Sequence, residues 1–111
     1  MSAATTQFPT ATILAYPRIG RGRELKRALE ARWAGRITEA ELIQAANDLR
    51  KENLARLVEL GLNPSDASLA DAPSLYDHVL DATILLGAIP PRFAGREGLD
   101  LYFAPARGDD K

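Results

Sequence analysis

Apolar residues change their spacing near residue 23, and this change separates an extended start from a helical remainder. TATILAY, residues 10–16, is almost continuously apolar, rich in β-branched residues and flanked by prolines. Such a composition is typical of a strand that is covered on both faces. The prolines and glycines that follow end it. Residues 1–9 are mostly small and polar and are expected to form a flexible lead-in.

The first predicted helix begins at Arg23. Leu25, Leu29 and Trp33 recur every four residues with charged residues between them, so one face is apolar and the other polar. Gly35 follows as a C-terminal stop. The pattern therefore predicts an amphipathic helix whose apolar face, including the tryptophan, belongs to the core.

A longer helix is predicted directly after it. Thr38 can serve as the N-cap, and Glu41 stands three residues further on, which is the arrangement of a capping box. Apolar residues then recur at helical spacing up to Leu60, and Gly61 closes the helix. The stretch 62–73, LNPSDASLADAP, is small, polar and rich in helix breakers, so it predicts a loop.

A third helix is predicted after this loop, with Ser74 as N-cap, Asp77 at the third helical position and an end near Gly87. LDLYFA, residues 99–104, fits either a last helical turn or a short strand, and Pro105 is expected to end it. The expected architecture is thus one strand followed by three or four helices. Because a lone strand leaves both edges unpaired, it must pair outside this chain or with another copy.

Composition narrows the class of protein. A chain of 111 residues makes at most one domain, and 46% hydrophobic with 26% charged residues is ordinary for a globular protein. The formal net charge of -1 gives no general attraction to nucleic acid or to an anionic membrane. The chain has no cysteine, and its start has neither a basic region nor a long apolar segment, so a cytoplasmic protein without disulfides is expected.

Positive charge is concentrated where the strand gives way to the first helix. The turn PRIGRGRELK places Arg18, Arg21, Arg23 and Lys26 beside two glycines and a helix N-terminus. The main-chain N–H groups and the helix dipole at such a junction favour an anion, for example a phosphate or a chain of carboxylates. The pattern is neither a P-loop nor a dinucleotide fingerprint. Two interpretations stay open: an anion site, or a solvated basic loop whose glycines only serve the turn.

The segment SLYDHVLD, residues 74–81, holds the only histidine, His78. With Asp77 and Asp81 nearby, these residue types could form a metal site or a catalytic dyad. Two ligands rarely suffice for a metal, however, and no nucleophile is recognisable beside the pair. A structural role, in which Tyr76 and His78 pack or cap, is therefore favoured.

Several motifs in succession resemble the start of the cobalamin-independent methionine synthases, the 5-methyltetrahydropteroyltriglutamate–homocysteine S-methyltransferases. These motifs are PRIG, RELK, YDHVLD, LGAIP and ARG, and the similarity covers residues 10–108, with 109–111 left as a tail. The resemblance implies an α/β fold in which two (β/α)8 barrels face each other and this chain opens the N-terminal one. It also implies methionine biosynthesis, by methyl transfer from the folate to homocysteine.

The same resemblance implies the site. Arg23, Glu24, Leu25 and Lys26 would help to bind the polyglutamate tail of the folate, and Arg18 joins this group from its place in the basic turn. No catalytic residue is expected in this chain.

The resemblance also concerns cofactors and partners. The family holds the homocysteine thiolate on zinc, but through ligands in its C-terminal barrel, so this chain is expected to bind no cofactor. Alone it should not transfer methyl groups. Its expected partners are the folate polyglutamate and either the remainder of the enzyme or further copies of itself, with no nucleic acid and no membrane. The alternative function is a non-catalytic interaction module that buries its apolar faces by oligomerisation.

Overall fold

Helices make up the described part of the chain. The computed structural model of the protein describes residues 12–13, 16–65 and 74–108. Its elements are α1 (Glu24–Trp33), α2 (Glu39–Glu59), α3 (His78–Leu85), a 3-10 turn (Pro91–Phe93) and α4 (Gly98–Arg107). No strand occurs in these ranges, so the expected mainly helical character is confirmed there. The predicted strand, most of the predicted loop, the lead-in and the tail lie largely or wholly outside the described residues.

One small core joins α1, α2 and α4. Leu25 and Leu29 of α1, Leu42 and Leu49 of α2 and Phe103 of α4 are all buried and in mutual contact as one cluster. The two leucines of α1 are one turn apart, which confirms the predicted apolar face. This core fixes the direction of α1 and therefore the position of the loop that precedes it.

The start of α2 is fixed by the predicted capping box. The Thr38 hydroxyl accepts a hydrogen bond from the Glu41 N–H at 3.2 Å, and the Glu41 carboxylate accepts one from the Thr38 N–H at 2.7 Å. The Glu41 carboxylate also accepts a hydrogen bond from the Thr38 hydroxyl at 2.9 Å, and the pKa of Glu41 is lowered first by the bond from the Thr38 N–H and then by this one. None of the described helices is long and apolar enough to cross a membrane.

The beginning of α3 differs from the prediction. Asp77, and not Ser74, is the N-cap, because the Asp77 carboxylate accepts from the Leu80 N–H at 2.9 Å. Ser74 is buried, and its hydroxyl accepts from the Tyr76 N–H at 3.2 Å, which shapes the turn before the helix. Both residue types cap helices well, and the serine is used by the turn instead. The predicted end is confirmed, since the Gly87 N–H donates to the carbonyl of Ile84.

The last helix is longer than the prediction allowed. α4 continues through Pro105 to Arg107, so the expectation that this proline ends the helix is wrong, and the helical alternative for residues 99–104 is confirmed. A proline inside a helix removes one main-chain hydrogen bond. Here the residues directly before it, Phe103 and Ala104, are buried, and their packing offsets that loss.

Candidate functional site

The loop before α1 is closed by a carboxylate that belongs to the chain itself. The Gly22 N–H donates to both carboxylate oxygens of Glu24, at 3.0 and 3.1 Å. A Cβ added to Gly20 would overlap that carboxylate, and one added to Gly22 would lie 2.6 Å from it. Gly20 also has a φ of +89°, which favours glycine. The two glycines therefore make room for a carboxylate at the start of the helix.

Further main-chain donors at this junction are used within the loop. The Arg23 N–H donates to the carbonyl of Gly20, and the Leu25 N–H donates to the carbonyl of Ile19, both at 3.0 Å. With the Gly22 N–H paired to Glu24, three of the donors expected to face a ligand already have acceptors. A ligand carboxylate would have to displace Glu24 from Gly22 or bind to side chains.

Basic side chains remain at the surface around this loop. Arg23 and Arg21 are exposed, and Arg23 has a φ of 61°, a left-handed conformation that residues other than glycine adopt infrequently. Lys26 Nζ lies 3.4 Å from the carboxylate of Glu30, and the Lys26 side chain is 46% exposed. An exposed pair of this kind stabilises a helix only slightly, so the ammonium group can exchange Glu30 for a ligand at little cost.

Two other residues of the predicted contact group, Leu25 and Arg18, make contacts within the protein. Leu25 is 3% exposed and lies in the core, so its side chain does not face solvent. Arg18 donates from Nη1 to the main-chain carbonyl of Leu75 at 3.0 Å, from a partly buried position. This bond connects the loop before α1 with the segment before α3.

A hydrogen-bonded cluster links α3 to α4. The Tyr102 hydroxyl donates to the Asp81 carboxylate at 2.5 Å and accepts from the Tyr76 N–H at 3.1 Å. Burial, and after it the bond to Asp81, raises the pKa of Tyr102. His78 Nδ1 lies 3.9 Å from Asp81, but the histidine side chain is 77% exposed. The contacts of Tyr76 and Asp81 favour a structural role for SLYDHVLD, but His78 itself is exposed and is not the helix cap, so its expected packing is not found. Sequence reasoning did not find Tyr102, because the segment around it fitted two kinds of element.

The described residues do not fit a zinc site of the kind that the resemblance implies for the whole enzyme. Among the described residues, no three or more His, Asp or Glu side chains come close enough together to hold a metal ion. The complete sequence contains no cysteine and one histidine. Zinc sites in proteins need three or four such ligands. We therefore derive no catalytic step through zinc for this chain.

Known proteins with similar sequences are 5-methyltetrahydropteroyltriglutamate–homocysteine methyltransferases. Those of Rhodococcus jostii and Mycobacterium tuberculosis are 50% and 48% identical over 102 and 103 residues, which is 91% and 92% of this chain. That of Acidiphilium cryptum is 50% identical over 88% of the chain. A model of the N-terminal domain of the cobalamin-independent synthases matches residues 10–111. The chain belongs to this family, and the resemblance found in its motifs is confirmed.

The chain is much shorter than these relatives. In each of the three, the matched region is 13% of the relative's own length. The activity named for the relatives therefore belongs to proteins several times longer than this chain.

Proposed function

We propose that this chain is the part of a methionine synthase that helps to bind the polyglutamate tail of its folate substrate. In the whole protein, the methyl group of 5-methyltetrahydropteroyltriglutamate would pass to homocysteine, and this segment would open the N-terminal barrel. The observation that carries the proposal is the loop before α1, which holds the Glu24 carboxylate on the Gly22 N–H with Arg23 and Lys26 close by in sequence. Membership of the family supports it.

The chemistry of the tail matches the chemistry of the loop. A polyglutamate tail carries one carboxylate per residue, so it can pair with several cations in turn. Arg23 is exposed and has a planar guanidinium that suits a bidentate carboxylate contact, and Lys26 offers a compact charge one position beyond the core residue Leu25. Burial of Leu25 holds this part of the helix in place. Arg18 would act through its bond to Leu75, by keeping the loop in position.

We propose that the catalytic step of the whole enzyme takes place outside this segment. The chain would bind one end of the substrate and would not activate the thiol, since it does not fit the metal site that such activation requires. We propose that the chain alone transfers no methyl group and that the remainder of the enzyme completes the site.

Calorimetric titration of the purified chain tests the binding. Tetrahydropteroyltriglutamate should bind more tightly than the monoglutamate, because only the longer tail reaches both cations. Arg23→Ala and Lys26→Ala should each weaken binding of the triglutamate by about tenfold, the effect of losing one charge-assisted hydrogen bond. Arg36→Ala is the matched control, since Arg36 is exposed beyond the other end of α1. Equal affinity for the two folates, indifference to both substitutions or lack of binding would each contradict the proposal.

A second candidate is a non-catalytic interaction module. The observation that favours it is an apolar stripe on α3 and its C-cap, formed by Val79, Ala82, Leu85 and Leu86 at helical spacing. Val79, Leu85 and Leu86 are 73%, 84% and 79% exposed. Large aliphatic side chains exposed together mark an interaction surface. In the first proposal the remainder of the enzyme would cover this α3 stripe, and in the second a further copy of the chain would.

A further inference from the structure

A pocket rich in arginine lies at the end of α1 opposite to the Glu24 loop. It has a volume of about 290 Å³. Arg32 and Trp33 line it from the last turn of α1, Arg96 from the segment before α4, and Asp100 and Arg107 from α4. Arg96 has an interaction of its own, but Arg32 and Arg107 still bring two cationic side chains to a pocket lined by one acidic residue, in a chain whose net charge is -1. This local excess of positive charge is not explained by the site at the start of α1.

One wall of the pocket is held by aromatic contacts. The guanidinium carbon of Arg107 lies 4.1 Å from the centroid of the Trp33 ring. The ring packs edge-on against Tyr76 and Phe103, at centroid distances of 5.9 and 5.5 Å. An arginine stacked on an aromatic face keeps its N–H groups directed sideways, where they can still bind an acceptor. The stacking thus positions Arg107 in advance of any ligand.

The α1 side of the pocket carries donors without acceptors. Arg32 Nε and Trp33 Nε1 are buried, and neither has a hydrogen-bond partner in the described part of the chain. Buried donors nearly always have a partner. Within the same residues, neither Arg32 nor Arg107 is paired with a carboxylate. Two guanidinium groups at one pocket therefore have unused capacity for an anion.

The last carbonyls of α1 do not account for this charge. The carbonyls of Glu30, Ala31 and Arg32 accept hydrogen bonds from the N–H groups of residues 34–36. The helix end is therefore capped by its own main chain, with Gly35 at a φ of +70°. The arginines at this end are not required to satisfy those carbonyls.

We propose that this pocket binds a small oxyanion through Arg32 and Arg107, with a phosphate or dicarboxylate group as the part recognised. Guanidinium groups suit both kinds of group, because their paired N–H donors match two oxygens. The volume of about 290 Å³ lies just below the range of about 300–1,000 Å³ that is typical of ligand pockets. It fits a small metabolite and is separate from the proposed folate site at the other end of the helix.

The chain offers a reporter at the site, because Trp33 is its only tryptophan. Inorganic phosphate and succinate are titrated separately at constant ionic strength, and the emission of Trp33 is recorded. A saturable change is expected with at least one of these two probes, and the probe that gives it identifies the group recognised. Arg32→Gln and Arg107→Gln should each raise the apparent Kd about tenfold or more.

Three further variants make the result specific. Arg27→Gln removes an exposed charge from α1 outside the pocket and should leave the Kd unchanged. Arg107→Lys keeps a cation over the ring but loses the paired donors, so it should bind with intermediate affinity even where the glutamine variant folds poorly. Lys26→Ala should not alter the response, so failure here is distinguishable from failure of the folate proposal.

Two outcomes would overturn the inference. One is the lack of a saturable response to both probes, which would mean that the buried donors are satisfied by water alone. The other is a response of equal size in Arg27→Gln, Arg32→Gln and Arg107→Lys, since that is non-specific screening of charge. Thermal denaturation of each variant confirms that a changed response does not come from unfolding.

Discussion

Glu24 and the two glycines around its carboxylate determine the start of α1. A negative charge in the first turn stabilises a helix. Glu24 supplies this charge to α1, and its carboxylate also accepts a hydrogen bond from the Gly22 N–H. The cost is a loop that tolerates no side chain at Gly20. The junction thus binds a carboxylate of the chain itself, which is the kind of group that the proposed ligand carries.

Gly20→Ala should lower the free energy of unfolding by about 2–4 kcal/mol, because it combines a left-handed φ with expulsion of the Glu24 carboxylate. Chemical denaturation measures this change. Gly35→Ala is the matched control: its φ is +70°, but nothing lies within 4 Å of the added Cβ, so it carries the backbone strain alone. In a Glu24→Ala background the difference between the two alanine variants should shrink. Part of the difference should remain, because the Cβ added to Gly20 also lies 3.0 Å from Cδ1 of Leu49, whereas an undiminished difference would show that Glu24 is not its cause.

The sequence shows the positive charge and the glycines at this junction, but it did not predict that the Glu24 carboxylate would bind within the loop. The spacing of Glu24 and Gly22 is visible in the sequence, but the conformation of the loop, with Gly20 at a φ of +89°, is not. The apolar periodicity of the sequence carries no information about that angle. Burial of Leu25 was predicted from its place in the apolar stripe, whereas the bond of Arg18 to Leu75 joins residues 57 positions apart and has no local signal.

At the scale of elements, the Tyr102 hydroxyl is the main polar link between α3 and α4. It binds Asp81 on α3, the Tyr76 N–H before α3 and, at 3.3 Å, the hydroxyl of Ser74. These groups are partly buried, so water reaches them poorly and each needs a hydrogen-bond partner within the protein. These three hydrogen bonds between α4 and the α3 region all run through one oxygen atom.

Tyr102→Phe should lower the free energy of unfolding by about 1–3 kcal/mol, since it leaves the Asp81 carboxylate and the Tyr76 N–H with one partner fewer. Tyr76→Phe is the control, because the Tyr76 ring lies in the same aromatic cluster while its side-chain oxygen takes no part in these bonds. Equal losses in the two variants would contradict the role of the Tyr102 hydroxyl.

The raised pKa of Tyr102 adds a dependence on pH. The folded state holds the phenolic proton more tightly than the unfolded state, whose pKa stays near the ordinary value of 10.0. The stabilisation is therefore complete below about pH 10 and is lost as the pH rises through the folded-state pKa. Thermal melts from pH 8 to 11 should show a steeper alkaline loss for the wild type than for Tyr102→Phe.

The elements themselves were largely predictable, and their exceptions have physical causes. Apolar periodicity and the capping box placed α1 and α2 because those signals are local. The N-cap of α3 was misplaced because Ser74 and Asp77 are equivalent by residue type, and only tertiary contacts decide between them. Pro105 was expected to end α4 because its neighbours' burial, which offsets the missing hydrogen bond, cannot be read from propensity.

At the scale of the whole molecule, the α3 stripe is an exposed apolar surface of the kind that binds another protein surface. The chain corresponds to 13% of the length of its relatives, and three large aliphatic side chains of this stripe are more than two-thirds exposed. The sequence suggested a barrel context through family resemblance, but the described helices alone do not close a barrel. Pairing of strands depends on residues beyond those helices.

We expect the isolated chain to self-associate through the α3 stripe at micromolar concentration. Light scattering should give a mass above the monomer's 12.1 kDa, and Val79→Ser combined with Leu86→Ser should return it to the monomer with unchanged helix content by circular dichroism. Leu60→Ser is the control, since Leu60 is 60% exposed at the end of α2. A wild-type monomer with a dispersed, folded spectrum would contradict self-association.

The bond between Arg18 and the Leu75 carbonyl has a consequence for both proposed roles. It couples the loop before α1 to the turn that leads into α3, across 57 positions of sequence. A ligand whose binding breaks this bond would also release the α3 turn, and occupancy of the loop would then be thermodynamically linked to the order of that turn. By reciprocity, a partner that clamps α3 would change the affinity of the loop for its ligand by the same factor.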